Sequence, residues 1–327
     1  MSILLSLIIP VFNTKPEYLT RCFLPLINNV DRRMELIVVD DGSNLETCKL
    51  LETICHKSQN RITIINQSNQ GQNAARRSGI NCAKGRYIGF LDSDDTLFWP
   101  DFVKVLDASE QSDADIIGFG CDTIAMNGKE TGSRGFHDIN PNNEAAEIRL
   151  LMLSRCAELW LQFIKASLLT AEDFFPGSST GEDLAVTFPA IARAKSFAIL
   201  QYKPYKYFSN ADSTLHSLNP LRRLTVIDSF EYIIHMLGNA CTDYHEEIEW
   251  QAINHILYAE PWYLLSGGLK NREYVQVLNS WVDATFPNWK GNHYLINQTH
   301  SLAFKLIVHR KYILFALLHR VKTLITR

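Results

Sequence analysis

The sequence of 327 residues lacks the signatures of several common functional classes. Its seven cysteines are odd in number and include no CxxC pair, which excludes a disulfide framework and a zinc site and favours a reducing compartment. The chain has no P-loop, and no Ser-His-Asp or Cys-His nucleophile pattern stands out. No stretch approaches the roughly 20 apolar residues that a membrane-spanning helix needs.

Acidic side chains are missing from the last part of the chain. Residues 284–327 carry seven Lys or Arg and no Asp or Glu, whereas residues 1–283 have a net charge of −10. The whole-chain charge of −3 argues against nucleic-acid binding, but the basic tail predicts contact with something anionic. Two interpretations stay open, a helix docked on the body and a helix lying on an anionic membrane. As one helix, the tail has an apolar side of Leu302, Leu306, Ile313, Leu317, Val321 and Leu324, with Lys305, Lys311 and Lys322 off it.

The overall composition is that of a globular protein, with 46% hydrophobic and 20% charged residues. The length suits one large domain or two modest ones. Met1–Phe12 is apolar but interrupted by Pro10, so we expect a buried strand there rather than a signal peptide. The expected location is therefore the cytoplasm, with contact at the inner face of the cytoplasmic membrane if the tail binds lipid.

Short apolar runs alternate with helical patterns over the first hundred residues. Strands are predicted at Leu4–Ile9, Glu35–Val39, Arg61–Asn66 and Tyr87–Leu91, with helices at Pro16–Val30, Asn44–His56 and Gln72–Ala83. Thr14 is the expected cap of the first helix, and Ser43 or Asn44 that of the second. This alternation predicts right-handed βαβ units and an α/β fold with a mostly parallel sheet.

The pattern changes after residue 101. Strands are expected over Ala114–Cys121 and Gly132–Phe136, with a hairpin turn at Asn127-Gly128, and one or two short strands within Phe197–Phe208. Asn143–Leu168 is predicted to be mostly helical, Glu182–Ala194 is predicted to be a helix, and nearly all of the chain from Pro220 onward is predicted to be helical.

Three of the four early strands end in chemically distinctive residues: Pro10–Asn13, Asp40–Ser43 and Asp92–Asp95. Ligands of parallel sheets bind beyond the carboxyl ends of the strands. The aspartates of Asp92–Asp95 would repel one another unless a hard cation such as Mg²⁺ or Mn²⁺ neutralised them, and such a cation also holds diphosphates. The alternative is a solvated acidic turn. Asp40–Ser43 is either a turn with a helix cap or a carboxylate that accepts the N3–H of uracil.

Four segments, in this order and spacing, resemble family 2 glycosyltransferases with the GT-A fold: Leu7–Asn13, Leu36–Ser43, Asn69–Arg76 and Ala83–Asp95. The resemblance covers residues 3–100 almost without gaps. It continues more weakly through Trp160–Leu169, Gly181–Asp183 and Tyr205–Tyr207. The sequence departs from the family pattern at Leu161-Gln162, where Asn-Lys is usual, and at Phe208, where Arg is usual.

The resemblance implies a role for each matching residue. Those that would bind the nucleotide-sugar donor are Pro10, Phe12, Asp40, Asp41, Arg76, Asp92, Ser93 and Asp94, with Asp41 on the uracil ring. Asp92, Asp94 and Asp95 would hold the metal, Mn²⁺ or Mg²⁺. Asp183 matches the catalytic base, although acids at a helix N-terminus are also favourable without chemistry. Weaker candidates are Glu182, Trp160 beside the acceptor, and His216, which is either a further metal ligand or a packed or surface histidine.

The expected function is that of an inverting hexosyl- or N-acetylhexosaminyltransferase. It would move a sugar from a UDP-sugar to a glycan acceptor, expected to be lipid-linked, in the synthesis of a surface polysaccharide such as capsule or the O-antigen of lipopolysaccharide. Residues 1–215 would form the GT-A domain, with a nucleotide-sugar half over 1–105 and an acceptor half over 106–215, and residues 216–327 a helical region. The alternatives are an inactive nucleotide-sugar-binding scaffold and a metal-dependent nucleotidyl- or phosphosugar transferase.

Overall fold

The computed structural model describes residues 2–29, 31–58, 62–125, 127–156, 158–175, 180–209, 219–266 and 268–325, with side chains through residue 320. These residues divide into two compact units. The first contains Met1–Ser178 and Asp183–Asn210, and the second contains Ser179–Glu182 and Ala211–Arg327.

The first unit contains eleven strands in two sheets. In chain order they are β1 Leu5–Val11, β2 Met34–Asp40, β3 Ile62–Asn66, β4 Tyr87–Phe90, β5 Thr96–Leu97, β6 Ile116–Gly118, β7 Gly120–Ile124, β8 Glu130–Gly135, β9 Gln162–Lys165, β10 Phe197–Ile199 and β11 Tyr205–Phe208. The larger sheet has the order β10-β6-β9-β4-β1-β2-β3, and the smaller sheet has the order β5-β11-β7-β8. Only β9 runs antiparallel to its neighbours in the larger sheet, so the predicted α/β class with a mostly parallel sheet is confirmed.

Helices flank these strands in the first unit: α1 Pro16–Asn28, α2 Leu45–Lys57, α3 Gln72–Cys82, α4 Trp99–Gln111, α5 Ala145–Arg155 and α6 Glu182–Arg193. The cap of α2 is Asn44, whose side chain accepts the Thr47 N–H as predicted. The cap of α1 is Lys15 rather than Thr14, and it makes no side-chain cap bond.

Strand β1 lies inside the larger sheet, between β4 and β2, and all seven of its residues are buried. Pro10, which has no N–H to donate, is tolerated there because the neighbouring strand β4 ends before reaching it. The carbonyl of Ile8 accepts the N–H of Leu91, just after β4. Alternate residues of a strand point to the same neighbour, so the missing N–H of Pro10 faces the side where β4 has already ended.

One predicted helix is replaced by a strand. The helix expected over Asn143–Leu168 ends at Arg155, and Gln162–Lys165 instead forms β9 between β4 and β6. The residues from Leu159 to Ile164 are all buried, and the periodicity of such a short apolar run does not separate a buried strand from a buried helix. The strand expected over Ala114–Cys121 is also divided, into β6 and β7 in different sheets.

The second unit is helical, as predicted. Its α-helices are α7 Pro220–Leu224, α8 Val226–Leu237, α9 His245–Ala252, α10 Glu260–Ser266, α11 Arg272–Thr285, α12 His293–Asn297, α13 Leu302–Val308 and α14 Tyr312–Ile325, with a π-helix at Ile253–Ala259. The basic tail is two helices rather than one, because the chain turns at Arg310, where φ is 59°. Within the described residues, no helix has the length and apolar character to cross a membrane.

Candidate functional site

The ends of β1, β2 and β4 meet at one edge of the larger sheet, as their parallel pairing requires. We call this region the strand-end edge. It consists of Phe12, Asp41 and the turn Asp92–Asp95. Hydrogen bonds join the loops there. The Asn44 N–H donates to Asn13 Oδ1 at 2.7 Å, and the hydroxyls of Thr14 and Ser93 share a hydrogen bond of 2.6 Å. The predicted donor-binding segments are therefore neighbours in space.

Asp41 connects the second and third sequence motifs. Its carboxylate accepts the N–H groups of Gln70 at 2.9 Å and Gly71 at 2.8 Å, and the Gln67 side-chain amide at 2.7 Å. Gly42 has φ +77°, and a Cβ on it would lie 2.7 Å from the backbone nitrogen of Asn69 in the loop before α3, so this close approach requires glycine. Asp41 is 2% exposed and fixes the loop before α3; its contact with a uracil ring stays a prediction.

The other residues predicted to bind the donor differ in their exposure. Asp40 is buried and accepts the N–H of Ser43 at 2.9 Å and the thiol of Cys48 at 3.3 Å, so it holds the turn together. Pro10 is buried inside β1. Phe12 is 49% exposed directly after β1, so its ring is available to a planar ligand.

The carboxylates of the Asp92–Asp95 turn have different surroundings. Asp95 is 1% exposed, and its carboxylate accepts the hydroxyl of Tyr205 and the N–H of Phe208, both at 2.7 Å. Burial and the neighbouring Asp94 and Asp92 raise the pKa of Asp95 well above its usual range. Asp95 therefore anchors the turn to β11.

Arg21 is a basic residue at this turn that the sequence analysis missed. Its guanidinium donates to the carbonyl of Asp94 and lies 3.4 Å from the ring centroid of Phe208. Phe208 is the position where the family pattern usually has arginine. The positive charge next to this turn therefore comes from α1, and no local pattern in the sequence indicated it.

Arg76 connects the strand-end edge to α6. It is fully buried, and its guanidinium pairs with Asp92 at 3.2 Å and with Asp183. The Gln72 side-chain amide also donates to Asp92, at 2.7 Å. Each of the two aspartates is about one-fifth exposed, at 22% for Asp92 and 21% for Asp183. One guanidinium thus holds the first aspartate of the turn and the predicted base on its two terminal nitrogens.

Ionisation of the Asp92 carboxyl is unfavourable in the folded protein. Burial raises its pKa to about 7, and the negative charges of Asp183 and Asp94 add to this, while the positive charge of Arg76 opposes it. A carboxylate held in this way would be stabilised by additional positive charge on its exposed side.

Asp183 lies in the first turn of α6, where the helix dipole favours a carboxylate. Its second oxygen accepts the N–H of Leu159 at 3.3 Å. Asp183 is therefore fixed from two directions and still partly open to solvent, as a base that must reach a substrate requires. Glu182, the residue before Asp183, belongs to the second unit.

Within the described residues, no group of three His, Cys, Asp or Glu side chains is arranged to hold a metal ion. The donor set nevertheless suits a hard cation. Asp92 and Asp94 supply carboxylate oxygens at a turn where the charges of the two repel, and Mg²⁺ commonly takes only one or two protein carboxylates together with substrate phosphates. His216 lies outside the described residues.

A second cluster, which we call the aromatic stack, consists of Tyr205, Trp160, Tyr207 and Arg134. The Trp160 ring lies 4.0 Å from that of Tyr205 and 5.7 Å from that of Tyr207, with interplanar angles of 16° and 8°. Arg134 lies 4.4 Å from the Tyr207 ring and pairs with Glu158 at 2.7 Å. Trp160 is only 3% exposed, so it supports the stack from inside.

Sequence reasoning missed Arg134 and Glu158, and it noted Tyr205 only as part of an aromatic segment. Arg134 is on the smaller sheet, and Glu158 directly precedes the residue whose N–H reaches Asp183. Burial raises the pKa of Glu158, and the positive charge of Arg134 opposes that rise. A lone arginine and a lone glutamate in unremarkable segments gave no sequence pattern that could have identified them.

Residues 6–161 match the model of glycosyl transferase family 2, so this part of the chain is similar to that family. The resemblance predicted from the four motifs is thereby confirmed.

Relatives with the same domain occur in bacteria. The chain is 35% identical over 117 residues to EpsJ of Bacillus subtilis, an uncharacterized glycosyltransferase, which covers 36% of this chain and 33% of EpsJ. It is 28% identical over 221 residues to the minor teichoic acid biosynthesis protein GgaB of B. subtilis, which covers 64% of this chain and 23% of GgaB. The match therefore spans a third or less of these relatives.

A solved structure shares the fold. Residues 1–349 of S. aureus TarS, in complex with UDP-GlcNAc, superpose with a TM-score of 0.55 at 15% identity, covering 89% of this chain and 93% of that chain. At this identity the likeness shows the fold alone. It supports the GT-A-type α/β architecture predicted from the sequence.

Proposed function

We propose that this chain is an inverting glycosyltransferase that takes a hexose or N-acetylhexosamine from a UDP-sugar. The observation that carries the proposal is the Arg76 bridge, in which one fully buried guanidinium pairs with Asp92 and with Asp183. Asp92 belongs to the turn expected to hold the nucleotide diphosphate. Asp183 is the expected base. The bridge fixes both at neighbouring positions, as a transfer between a bound donor and an incoming acceptor needs.

The proposed reaction is a single displacement. Asp183 takes the proton of an acceptor hydroxyl as the hydroxyl oxygen attacks the anomeric carbon. The bond from that carbon to the diphosphate oxygen breaks, and its electron pair leaves with the UDP. Because the attack comes from the face opposite the leaving group, an α-linked donor gives a β-linked product. No covalent enzyme intermediate is required.

Asp94 and Asp92 are the residues proposed to hold Mn²⁺ or Mg²⁺, with Asp95 anchoring the turn behind them. The exposed carboxylate and the raised pKa of Asp92 support this assignment. Such a cation offsets the charge that develops on a departing diphosphate. Phe12 is proposed to lie against the uracil ring, because it is the half-exposed aromatic residue of the strand-end edge.

The acceptor is proposed to be a glycan of a surface polysaccharide, carried on a lipid. Support comes from the relative GgaB, which is named for teichoic acid biosynthesis. Residues 1–105 are proposed to bind the nucleotide sugar, residues 106–215 the acceptor, and residues 216–327 to form a separate helical region.

A donor panel tests the proposal directly. The protein would be incubated with UDP-glucose, UDP-galactose, UDP-GlcNAc and UDP-GalNAc, with Mn²⁺ or EDTA, and UDP release would be measured. One donor should release UDP in Mn²⁺ but not in EDTA, and NMR of a transferred sugar should show a β linkage. Binding of UDP-sugars without any release would favour an inactive scaffold. Release of pyrophosphate from a nucleoside triphosphate and a sugar phosphate would favour a nucleotidyltransferase.

The tail is proposed to contact the inner face of the cytoplasmic membrane. On α14, Ile313, Leu314 and Leu317 are exposed by 60%, 53% and 54%, beside the basic Lys311 and Arg320. Exposed apolar and basic side chains on one helix are typical of attachment to an anionic lipid surface. Binding to anionic vesicles that weakens with salt would support the proposal, and equal binding to neutral vesicles would contradict it.

A further inference from the structure

Arg134 is a cation that the proposed reaction does not use. It lies on β8, the edge strand of the smaller sheet, and its side chain is 42% exposed. Its guanidinium packs against Tyr207 at 4.4 Å and lies 5.5 Å from the Trp160 ring. A guanidinium packed flat against rings directs its N–H groups outward from its edges. The carboxylate of Glu158 pairs with one of those edges, at a distance of 2.7 Å.

Two successive contacts also link Arg134 to Asp183, the proposed base. It pairs with Glu158, and the N–H of the following residue, Leu159, donates to Asp183 at 3.3 Å. Glu158 and Asp183 are near enough for the charge of Asp183 to raise the pKa of Glu158. Arg134 is therefore linked to Asp183 through one ion pair and one backbone hydrogen bond.

The charges around this position are mostly negative. The side chains of Asp92, Asp183 and Glu158 are 22%, 21% and 20% exposed. Arg76, which pairs with the first two, is fully buried and cannot meet a ligand from solvent. An acceptor with an anionic group would be repelled here unless an exposed cation received that group. Arg134 offers such a cation.

We propose that Arg134 is a specificity-determining residue that binds an oxyanion of the acceptor, a phosphate or a carboxylate next to the hydroxyl that is glycosylated. The inference rests on the proposed function and names the chemical class of its acceptor. The guanidinium pairs with the oxyanion beside its ion pair with Glu158, while Glu158 and Tyr207 hold its orientation. The acceptor is thus a polyol phosphate or a uronic-acid glycan rather than a neutral glycan.

The test compares acceptor probes by isothermal titration calorimetry in the presence of UDP and Mn²⁺. The probes are an oligomer of polyol phosphate, an oligomer of a uronic acid, and a neutral oligosaccharide of the same length. The variants are Arg134→Gln, Arg134→Lys and the control Arg155→Gln. Arg155 is likewise 42% exposed, and it makes one ion pair of 2.8 Å, with Asp138. Donor hydrolysis is measured for every variant.

The wild type should bind one of the two anionic probes at least about 10-fold more tightly than the neutral one, on the scale of a charge-assisted hydrogen bond. The probe that binds identifies phosphate or carboxylate. Arg134→Gln should remove the preference, Arg134→Lys should keep part of it, and Arg155→Gln should keep all of it. Donor hydrolysis by Arg155→Gln should match that of the wild type. Equal affinity for all probes in the wild type, or a preference that survives Arg134→Gln, would overturn the inference. Absence of donor hydrolysis in the wild type would instead count against the proposed function.

Discussion

At the strand-end edge, backbone N–H groups hold the carboxylate of Asp41, whereas in the aromatic stack side chains from distant segments hold one another. Asp41 accepts N–H groups of Gln70 and Gly71, about 30 residues along the chain. Trp160 stacks on rings of β11, and Arg134 reaches it from β8. The first arrangement needs short motifs at strand ends, and the second needs only compatible packing between strands.

This difference has a consequence for how the two regions tolerate change. The strand-end edge should lose ligand binding or turnover when its exposed groups are altered, with little loss of stability. The aromatic stack should lose stability first, because its central ring is 3% exposed. Asp183, the proposed base, lies between the two regions, since Arg76 and Leu159 both contact it.

The largest expected effect is at Asp183. Asp183→Asn keeps the size of the side chain but removes its capacity to accept a proton, so kcat should fall by ~10²–10⁴. Donor affinity should change little, since the base meets the acceptor. Steady-state kinetics measure kcat, and titration with the donor measures its affinity. Glu182→Gln is the control, and if it lost turnover while Asp183→Asn kept it, the neighbouring acid would be the base.

Trp160→Ala should remove about 3–5 kcal/mol from the free energy of unfolding, the usual range for a buried aromatic residue. Trp160 stacks between Tyr205 and Tyr207. The matched variant is Phe12→Ala, whose ring is 49% exposed, and it should change stability by no more than about 0.5 kcal/mol. Urea denaturation compares them. Equal losses would remove the distinction between the two regions.

Within the acidic turn, Asp95→Asn should destabilise the protein by about 1–3 kcal/mol, because a group that donates then faces the Tyr205 hydroxyl or the Phe208 N–H. Asp94→Asn should leave stability nearly unchanged and weaken metal-dependent donor binding. Thermal unfolding with and without Mn²⁺ separates the two. The opposite pattern would exchange the roles assigned to these aspartates.

The raised pKa values of Asp92 and Asp95 predict a pH dependence of stability. Between pH ~4, where these carboxyls ionise in the unfolded chain, and pH ~7, the folded state binds more protons than the unfolded state. Their contribution therefore falls as the pH rises. Asp92→Asn should flatten this slope in urea unfolding measured from pH 4.5 to 7.5. A variant with the wild-type slope would show that Asp92 ionises normally.

The smallest effect on stability is expected on α14. Ile313→Ser with Leu317→Ser should change the unfolding free energy by about 0.5 kcal/mol or less per site, because both side chains are more than half exposed. The same pair should reduce binding to anionic vesicles. Phe315→Ala, at a ring that is 1% exposed, should instead destabilise the second unit. Vesicle binding that persists in the double variant would leave the tail as a docked structural element.

Much of the strand-end edge followed from the sequence because its information is local. Apolar runs that end in Asp40–Ser43 or Asp92–Asp95 specify a buried strand and the group at its end within a few residues. Periodicity could not assign Gln162–Lys165, since an apolar run of that length suits a strand or a helix. It was also misleading in the tail. The turn at Arg310 leaves Leu302, Ile313 and Leu317 exposed, and Phe304, Ile307 and Phe315 are buried instead.

The partners of charged side chains were the least predictable part. Arg21 reaches the carbonyl of Asp94 across 73 positions, and Arg76 reaches Asp183 across 107. Such pairs depend on how α1, α3 and α6 pack against the sheet, which no local pattern encodes. The motif order gave the candidate residues of the site, but not which of them pair.

Calorimetric titration of UDP into the protein, in Mn²⁺ and in EDTA, tests the central assignment most directly. The proposal assigns the nucleotide diphosphate to the turn of Asp92 and Asp94 through a divalent cation. Wild-type protein should bind UDP in Mn²⁺ and lose that binding in EDTA, and Asp94→Asn should bind UDP poorly in both. UDP binding of equal strength in EDTA, or unchanged by Asp94→Asn, would contradict the assignment of this turn as the metal and diphosphate site.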